Sequence, residues 1–208
     1  RQWVERITQY RLDHEVERTF WDQKLFGLPD YNLCKPKRFQ QNYQTITLSS
    51  EITQKLLQKV GEAYHTEIDD LLLTALAYAL KDWQGDSVQG ITLEGHGRES
   101  IDLSIDLTQT VGWFTTIYPV KLSLQDSLGT TIKSIKESLR SIPHKELGYG
   151  VLRSLNDQLP PISFNYLGQF DSTEGQWQVV SEDAGMSVSP DNKNHLLIDI
   201  NGSVINGC

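Results

Sequence analysis

The segment Ile68 to Leu80 constrains this chain more than any other. Ile68, Leu71, Leu72, Ala75, Leu76, Tyr78 and Leu80 recur at helical spacing and cover so much of the circumference that they predict a largely buried core helix. Thr66-Glu67-Ile68-Asp69-Asp70 opens it with acid where the helix dipole favours negative charge, and Gln84-Gly85-Asp86-Ser87 breaks it. A buried helix needs layers to cover it, and the rest of the chain must supply them.

On the N-terminal side, Trp3, Ile7, Tyr10, Val16, Phe20 and Leu25 follow one running helical pattern. Residues 26 to 42 carry Gly27, Pro29, Asp30, Asn32 and Pro36 without periodicity, a surface connection whose KPKR reads as solvated. The alternation from Tyr43 to Leu48 predicts a half-buried strand, and Ser49-Ser50-Glu51 caps a helix with Ile52, Leu56, Leu57 and Val60. Beyond the core helix, Val88 to Glu94 predicts a strand and Val111 to Leu124 a long β-rich segment. Ser127 caps an amphipathic helix with Leu128, Ile132, Ile135 and Leu139, which Pro143 stops. Glu146 to Leu155 forms a short irregular helix. Strands follow at Ile162 to Leu167, Trp177 to Val180 and His195 to Ile200, and Asn206-Gly207-Cys208 forms a turn. Strands and helices mix without strict alternation, which predicts one α+β layered domain with a mixed β-sheet flanked by helices.

The net charge of −8, with no basic cluster beyond Lys35-Pro36-Lys37-Arg38, argues against nucleic acid as a partner. No apolar run reaches the ~18 to 20 residues of a membrane span, and no signal segment opens the chain, so no membrane role is expected. Cys34 and Cys208 form neither a disulfide framework nor a zinc spacing; a reducing cytoplasm fits, and no residue is assigned to a metal. The first residue is Arg1 and Met186 is the sole methionine, so the chain is expected to be a piece of a longer protein.

Three segments carry the candidate chemistry. In Leu93-Glu94-Gly95-His96-Gly97-Arg98-Glu99, a strand ends on an acid followed by glycines, which holds a carboxylate at a sheet edge facing a cleft. From the residues alone, a strand-end ion pair between Glu94 and Arg98, with His96 solvated, is the commoner reading of this pattern. In Thr110 to Val120, Gly112 suggests a bulge or close approach, Pro119 a sheet edge, and the aromatics core packing. In Ile162 to Asp171, alternation puts Phe164 and Tyr166 on one face and Asn165 on the other.

EGHGRE, TVGWFTTIYPV and FNYLGQFD, in that order and with Leu147 to Arg153 between the last two, closely resemble the epimerization domains of nonribosomal peptide synthetases, relatives of condensation domains. The resemblance implies a chloramphenicol-acetyltransferase-like half-domain, the C-terminal subdomain of a domain built from two such halves with a tunnel between them. It implies L-to-D inversion at the α-carbon of an aminoacyl or peptidyl thioester, brought on the 4'-phosphopantetheine arm of a peptidyl carrier protein, with no cofactor bound directly. It implies Glu94 as a proton-transfer group in a tunnel that raises its pKa, and Arg98 and Tyr166 as residues lining the site. A condensation domain forming an amide, or a non-catalytic carrier-docking fragment, are the competing readings. Two departures stand out. Thr108-Gln109 replaces the Ser-Arg that precedes Thr-Val-Gly-Trp in the family, and the family's His-His-x-x-x-Asp motif, which belongs to the N-terminal half, is missing. The isolated chain is therefore expected to be inactive.

Overall fold

The computed structural model describes residues 1–29, 31, 42–153, 159–170, 182–183, 185, 189 and 196–208. Its centre is a four-stranded sheet of β1 (Val88–Gly95), β2 (Thr116–Ser123), β3 (Ile162–Phe170) and β4 (Ile198–Ile205), in the order β2-β1-β3-β4. β1 pairs antiparallel with β2 and parallel with β3, and β3 pairs parallel with β4. The fold is thus the expected α+β one, with a mixed sheet flanked by helices.

The pleat divides the sheet into two unlike faces. Ile91 and Leu93 of β1, Tyr118, Val120 and Leu122 of β2, and Ile162 and Phe164 of β3 are buried in a core shared with Trp21, Leu73, Ala77, Leu80, Ile135, Tyr149 and Leu152 from the helices. The alternate residues, Gly90, Thr92 and Glu94 with Ser163 and Asn165, face away from that core. The Tyr31 hydroxyl donates to the Gly90 carbonyl at 2.8 Å and accepts from its N–H at 2.7 Å. A Cβ at Gly90 would lie 2.9 Å from a methyl of Leu28, so the side chain of Leu28 packs directly over this glycine.

Helix α4 (Ile68–Gln84) has the expected ends, a capping box between Glu67 and Asp70 and a left-handed Gly85 with φ of +89°. Its burial differs from expectation. Leu73, Thr74, Ala77 and Leu80 are buried while Ala75 and Trp83 are exposed, so it is an amphipathic helix lying on the sheet and not one covered all round. Many small and apolar side chains around a helix permit burial, but the sheet and the helix Leu128–Arg140 together cover only part of this one.

The opening pattern, read as one helix, is two: α1 (Gln2–Asp13) and α2 (Glu17–Leu25). The corner between them turns Glu17 inward under the Tyr10 hydroxyl, which donates to it at 2.8 Å. Apolar periodicity carries no trace of a corner fixed by an acid. Tyr43 to Leu48 is not a strand; none of the four strands pairs with it, and Tyr43 and Ile46 are exposed. Alternation alone supplies no partner for the backbone N–H and C=O groups.

Helix α3 (Ser50–Gln58) is capped by Ser49, and α5 (Leu128–Arg140) by Ser127, whose hydroxyl accepts from the Thr130 N–H at 3.2 Å. Ile132 and Ile135 of α5 are buried, as the spacing predicts. A 3-10 turn over Pro143–Glu146 follows, then α6 (Leu147–Leu152), which falls within the expected irregular helix. β3 runs three residues past its expected end, and β4 begins at Ile198 and not at 195. The turn at the end is present, with Asn206 and Gly207 at positive φ. The strand expected at Trp177 to Val180 lies outside the described residues, as do Cys34, Met186 and the KPKR. Among the described residues no helix is long and apolar enough to cross a membrane.

Candidate active site

Glu94 is the last residue but one of β1, on the face away from the helices, and it is exposed. The parallel register that sets Leu93 beside Phe164 carries on to set Glu94 beside Asn165, whose Nδ2 donates to Glu94 Oε2 at 3.2 Å. One carboxylate oxygen is thereby held, and the side chain stays exposed. Sequence reading gave Asn165 no role, although its alternation out of phase with Tyr166 was legible; only the register of β1 against β3 brings it to Glu94. On the other flank the cross-strand partner of Glu94 is Ile117 of β2.

The loop after β1 folds back on the segment before β2. Gly97 has φ of +65°, and a Cβ there would stand 1.7 Å from the Phe114 carbonyl oxygen. The backbones touch, so only glycine fits. Arg98 secures the contact: its guanidinium stacks on the Phe114 ring at 4.1 Å, donates to the Leu107 carbonyl at 2.6 Å and to the Gly112 carbonyl at 3.3 Å. Trp3 of α1 packs edge-on against the same ring at 6.3 Å.

These contacts bear on the ion-pair reading of the segment. No ion pair joins Glu94 to Arg98 among the described residues; the arginine is a clamp on residues 107 to 114. His96 is not merely solvated either. Its Nδ1 accepts from the Arg98 N–H at 3.0 Å, so the ring proton sits on Nε2, 2.9 Å from Glu99 Oε1. The segment from Val111 to Thr115, expected in a strand, is a loop, and Trp113 is 89% exposed and not a core residue. Pro119 does lie in an edge strand.

A lysine at 98 reaches one carbonyl as a point charge and stacks poorly. Arg98→Lys is expected to cost about 1–2 kcal/mol, checked as a lower midpoint in urea unfolding, with amide hydrogen exchange accelerated in residues 107–114.

Tyr166 does not join Glu94. It shares its face with Phe164 and packs against the helix-side core. Its hydroxyl is buried with no hydrogen-bond partner among the described residues. Burial, helped by the nearby Asp69 carboxylate of α4, raises its pKa above the ordinary tyrosine value. A cleft of about 720 Å³ is bounded by Trp3, Ile7, Trp113, Phe114, Ile117 and Tyr149; Glu94 is not in its lining, although its cross-strand partner Ile117 is. The desolvation implied for Glu94 is not furnished by the described residues.

The condensation-domain family model matches residues 1–207. The chain is 36% identical to bacitracin synthase 2 of Bacillus licheniformis, over 96% of this chain and 8% of that protein. It is 41% identical to gramicidin S synthase 1 of Brevibacillus brevis, over 86% of this chain and 18% of that one. Among solved structures, the epimerization domain from the third module of tyrocidine synthetase B matches with a TM-score of 0.82 at 36% identity, over 99% of this chain and 51% of that one. The first condensation domain of the CDA synthetase shares the fold, with a TM-score of 0.58 at 16% identity over 80% of this chain and 37% of that one. The chain thus spans about half of the matched epimerization domain and a small part of each synthetase. It belongs to the condensation-domain superfamily of nonribosomal peptide synthetases.

Proposed function

We propose that this chain is the C-terminal half of an epimerization domain, inverting the α-carbon of an aminoacyl or peptidyl thioester held on the phosphopantetheine arm of a peptidyl carrier protein. The observation that carries the reading is Glu94: an exposed carboxylate at a strand end, oriented by Asn165, with one oxygen left to exchange a proton. Inversion removes a proton from one face of the carbon and returns one to the other. Glu94 serves one face, and the histidine motif of the N-terminal half serves the opposite face. Closure of that half over β1 excludes water from the carboxylate. The cleft that includes Ile117, the cross-strand partner of Glu94, offers an apolar wall to the acyl group. The greater likeness to an epimerization domain than to a condensation domain supports inversion over amide formation.

Arg98 acts here as a positioning residue, holding the loop that walls the cleft. Tyr166 supports β3 from behind the sheet, where its hydroxyl touches neither substrate nor Glu94. Tyr166→Phe in the complete domain is expected to change the inversion rate by less than about threefold, since removing a buried hydroxyl that has no partner among the described residues is close to neutral. A loss comparable to that at Glu94, read in the same chiral assay, would instead put the tyrosine in the acid-base pair.

The complete domain, given an L-aminoacyl carrier protein in D2O, is expected to release a mixture of isomers deuterated at the α-carbon. Amide formation with an acceptor carrier and no α-deuterium would make it a condensation domain. Carrier binding with neither product would make it a docking module.

A further inference from the structure

The corner between α1 and α2 brings together side chains that the reaction above does not use. Glu17 is buried, at 8% side-chain exposure, with α6 packed so closely that a Cβ at Gly148 would stand 2.3 Å from Glu17 Oε2. His144 reaches it from the 3-10 turn, Nδ1 to Glu17 Oε1 at 2.8 Å, from a backbone held at φ of +42°. That left-handed conformation costs a non-glycine residue energy and persists only where surrounding contacts impose it. His14, the C-cap residue of α1, completes the group. One ligand atom from each of His14, Glu17 and His144 lies within 4.8 Å of the others. Among the described residues no other such group forms.

His14 offers an open nitrogen, whereas His144 Nδ1 already lies 2.7 Å from the Tyr10 hydroxyl and 2.8 Å from Glu17 Oε1, so an ion must displace those contacts and take the ring with its proton on Nε2. His14 Nδ1 lies 3.1 Å from the Tyr10 carbonyl, which can only accept, so Nδ1 carries the proton and Nε2 offers its lone pair. An outer hydrogen bond from the non-ligating nitrogen to a backbone carbonyl is the arrangement that orients metal-bound imidazoles. The Tyr10 hydroxyl lies 2.8 and 3.0 Å from the two oxygens of Glu17 and donates to that carboxylate. It thus holds the carboxylate as an outer partner holds a ligand. His144 is partly exposed, which gives an ion an entry path and leaves a position for water.

We propose that His14, Glu17 and His144 form a binding site for a divalent transition ion, Zn(II) above all. Two imidazoles and one carboxylate suit zinc, cobalt and nickel better than magnesium or calcium, which prefer oxygen-rich shells. Ligand atoms at about 2.0–2.2 Å in tetrahedral geometry stand roughly 3.3 Å apart. The ion therefore asks His144 and Glu17 to separate by about half an ångström and His14 to swing in. The site ties the α1–α2 corner to the turn leading into α6, joining residues 127 apart in sequence, which is why no spacing motif disclosed it.

The test is Zn(II) titration of the full 208-residue chain by calorimetry, with Co(II) absorption as a second readout. One equivalent is expected to bind, and Co(II) is expected to give the strong visible bands of a tetrahedral site. His14→Ala and His144→Ala should each weaken binding at least about tenfold and abolish those bands, with far-UV circular dichroism unchanged. Absence of binding, or binding that both variants retain, overturns the proposal. If the variants fail to fold, the native chain still decides: a weak octahedral Co(II) spectrum overturns it.

Discussion

Glu94→Gln in the complete domain is expected to lower the rate of inversion by about 10² or more, a loss of roughly 2.7 kcal/mol of transition-state stabilisation. Glutamine keeps the length and shape of the side chain, and its amide oxygen still accepts from Asn165, so the strand end is not disturbed. What disappears is the capacity to take up and return a proton. The same variant should therefore unfold within about 0.5 kcal/mol of the parent, as exposed substitutions do. The measurement is the appearance of D-isomer by chiral chromatography, with deuterium uptake at the α-carbon followed in parallel. Inversion and uptake at the parent rate would remove Glu94 from the mechanism. Asn165→Ala provides the graded comparison: the carboxylate remains but loses its orienting donor, so the rate should fall less, by about tenfold.

What the sequence disclosed is what short-range chemistry decides. The cap at Ser127, the stop at Gly85 and the spacing of Ile132 and Ile135 each depend on a few neighbouring residues, and each is found where the pattern puts it. Readings that depended on a distant neighbour fared otherwise. Tyr43 to Leu48 alternates like a strand without one to pair with, and the apolar circumference of α4 meets a sheet on one side only. In the candidate site, Glu94 stands at the strand end its motif indicates. Arg98 could not be placed from spacing, because its partners, the carbonyls of Leu107 and Gly112, are main-chain groups without a sequence signature. Tyr166 was legible as out of phase with Asn165, yet which phase faces the helices follows from packing. The His14, Glu17 and His144 cluster shows the same limit, for 127 residues separate Glu17 from His144 and the corner itself was read as continuous helix.

Gly97→Ala is expected to be the most damaging single-methyl substitution near the site, and the reason can be split into two measurable parts. The first is conformational. A side chain at φ of +65° costs about 1–2 kcal/mol in the left-handed region. The second is steric. The new Cβ would stand 1.7 Å from the Phe114 carbonyl oxygen and 2.7 Å from its carbon. These are backbone atoms, so no rotamer change relieves the overlap, and the segment from Leu107 to Thr116 must lift away. That lift unstacks Arg98 from Phe114 and breaks its two carbonyl bonds, adding about 1–3 kcal/mol or more. A total near 3–4 kcal/mol should lower the thermal midpoint by roughly 10 °C in a chain of this length. Gly85→Ala isolates the first part. It shares the left-handed backbone, with φ of +89°, but has no atom within 4 Å of the added methyl, so it should cost only about 1–2 kcal/mol. The difference between the two variants measures the contact between the loop after β1 and the segment before β2. Because that contact also sets a wall of the cleft and lies next to the end of β1, Gly97→Ala should slow inversion in the complete domain even below its melting transition, whereas Gly85→Ala should leave the rate unchanged. Equal midpoints for the two variants would mean that the backbones do not touch, and that Arg98 alone holds the loop.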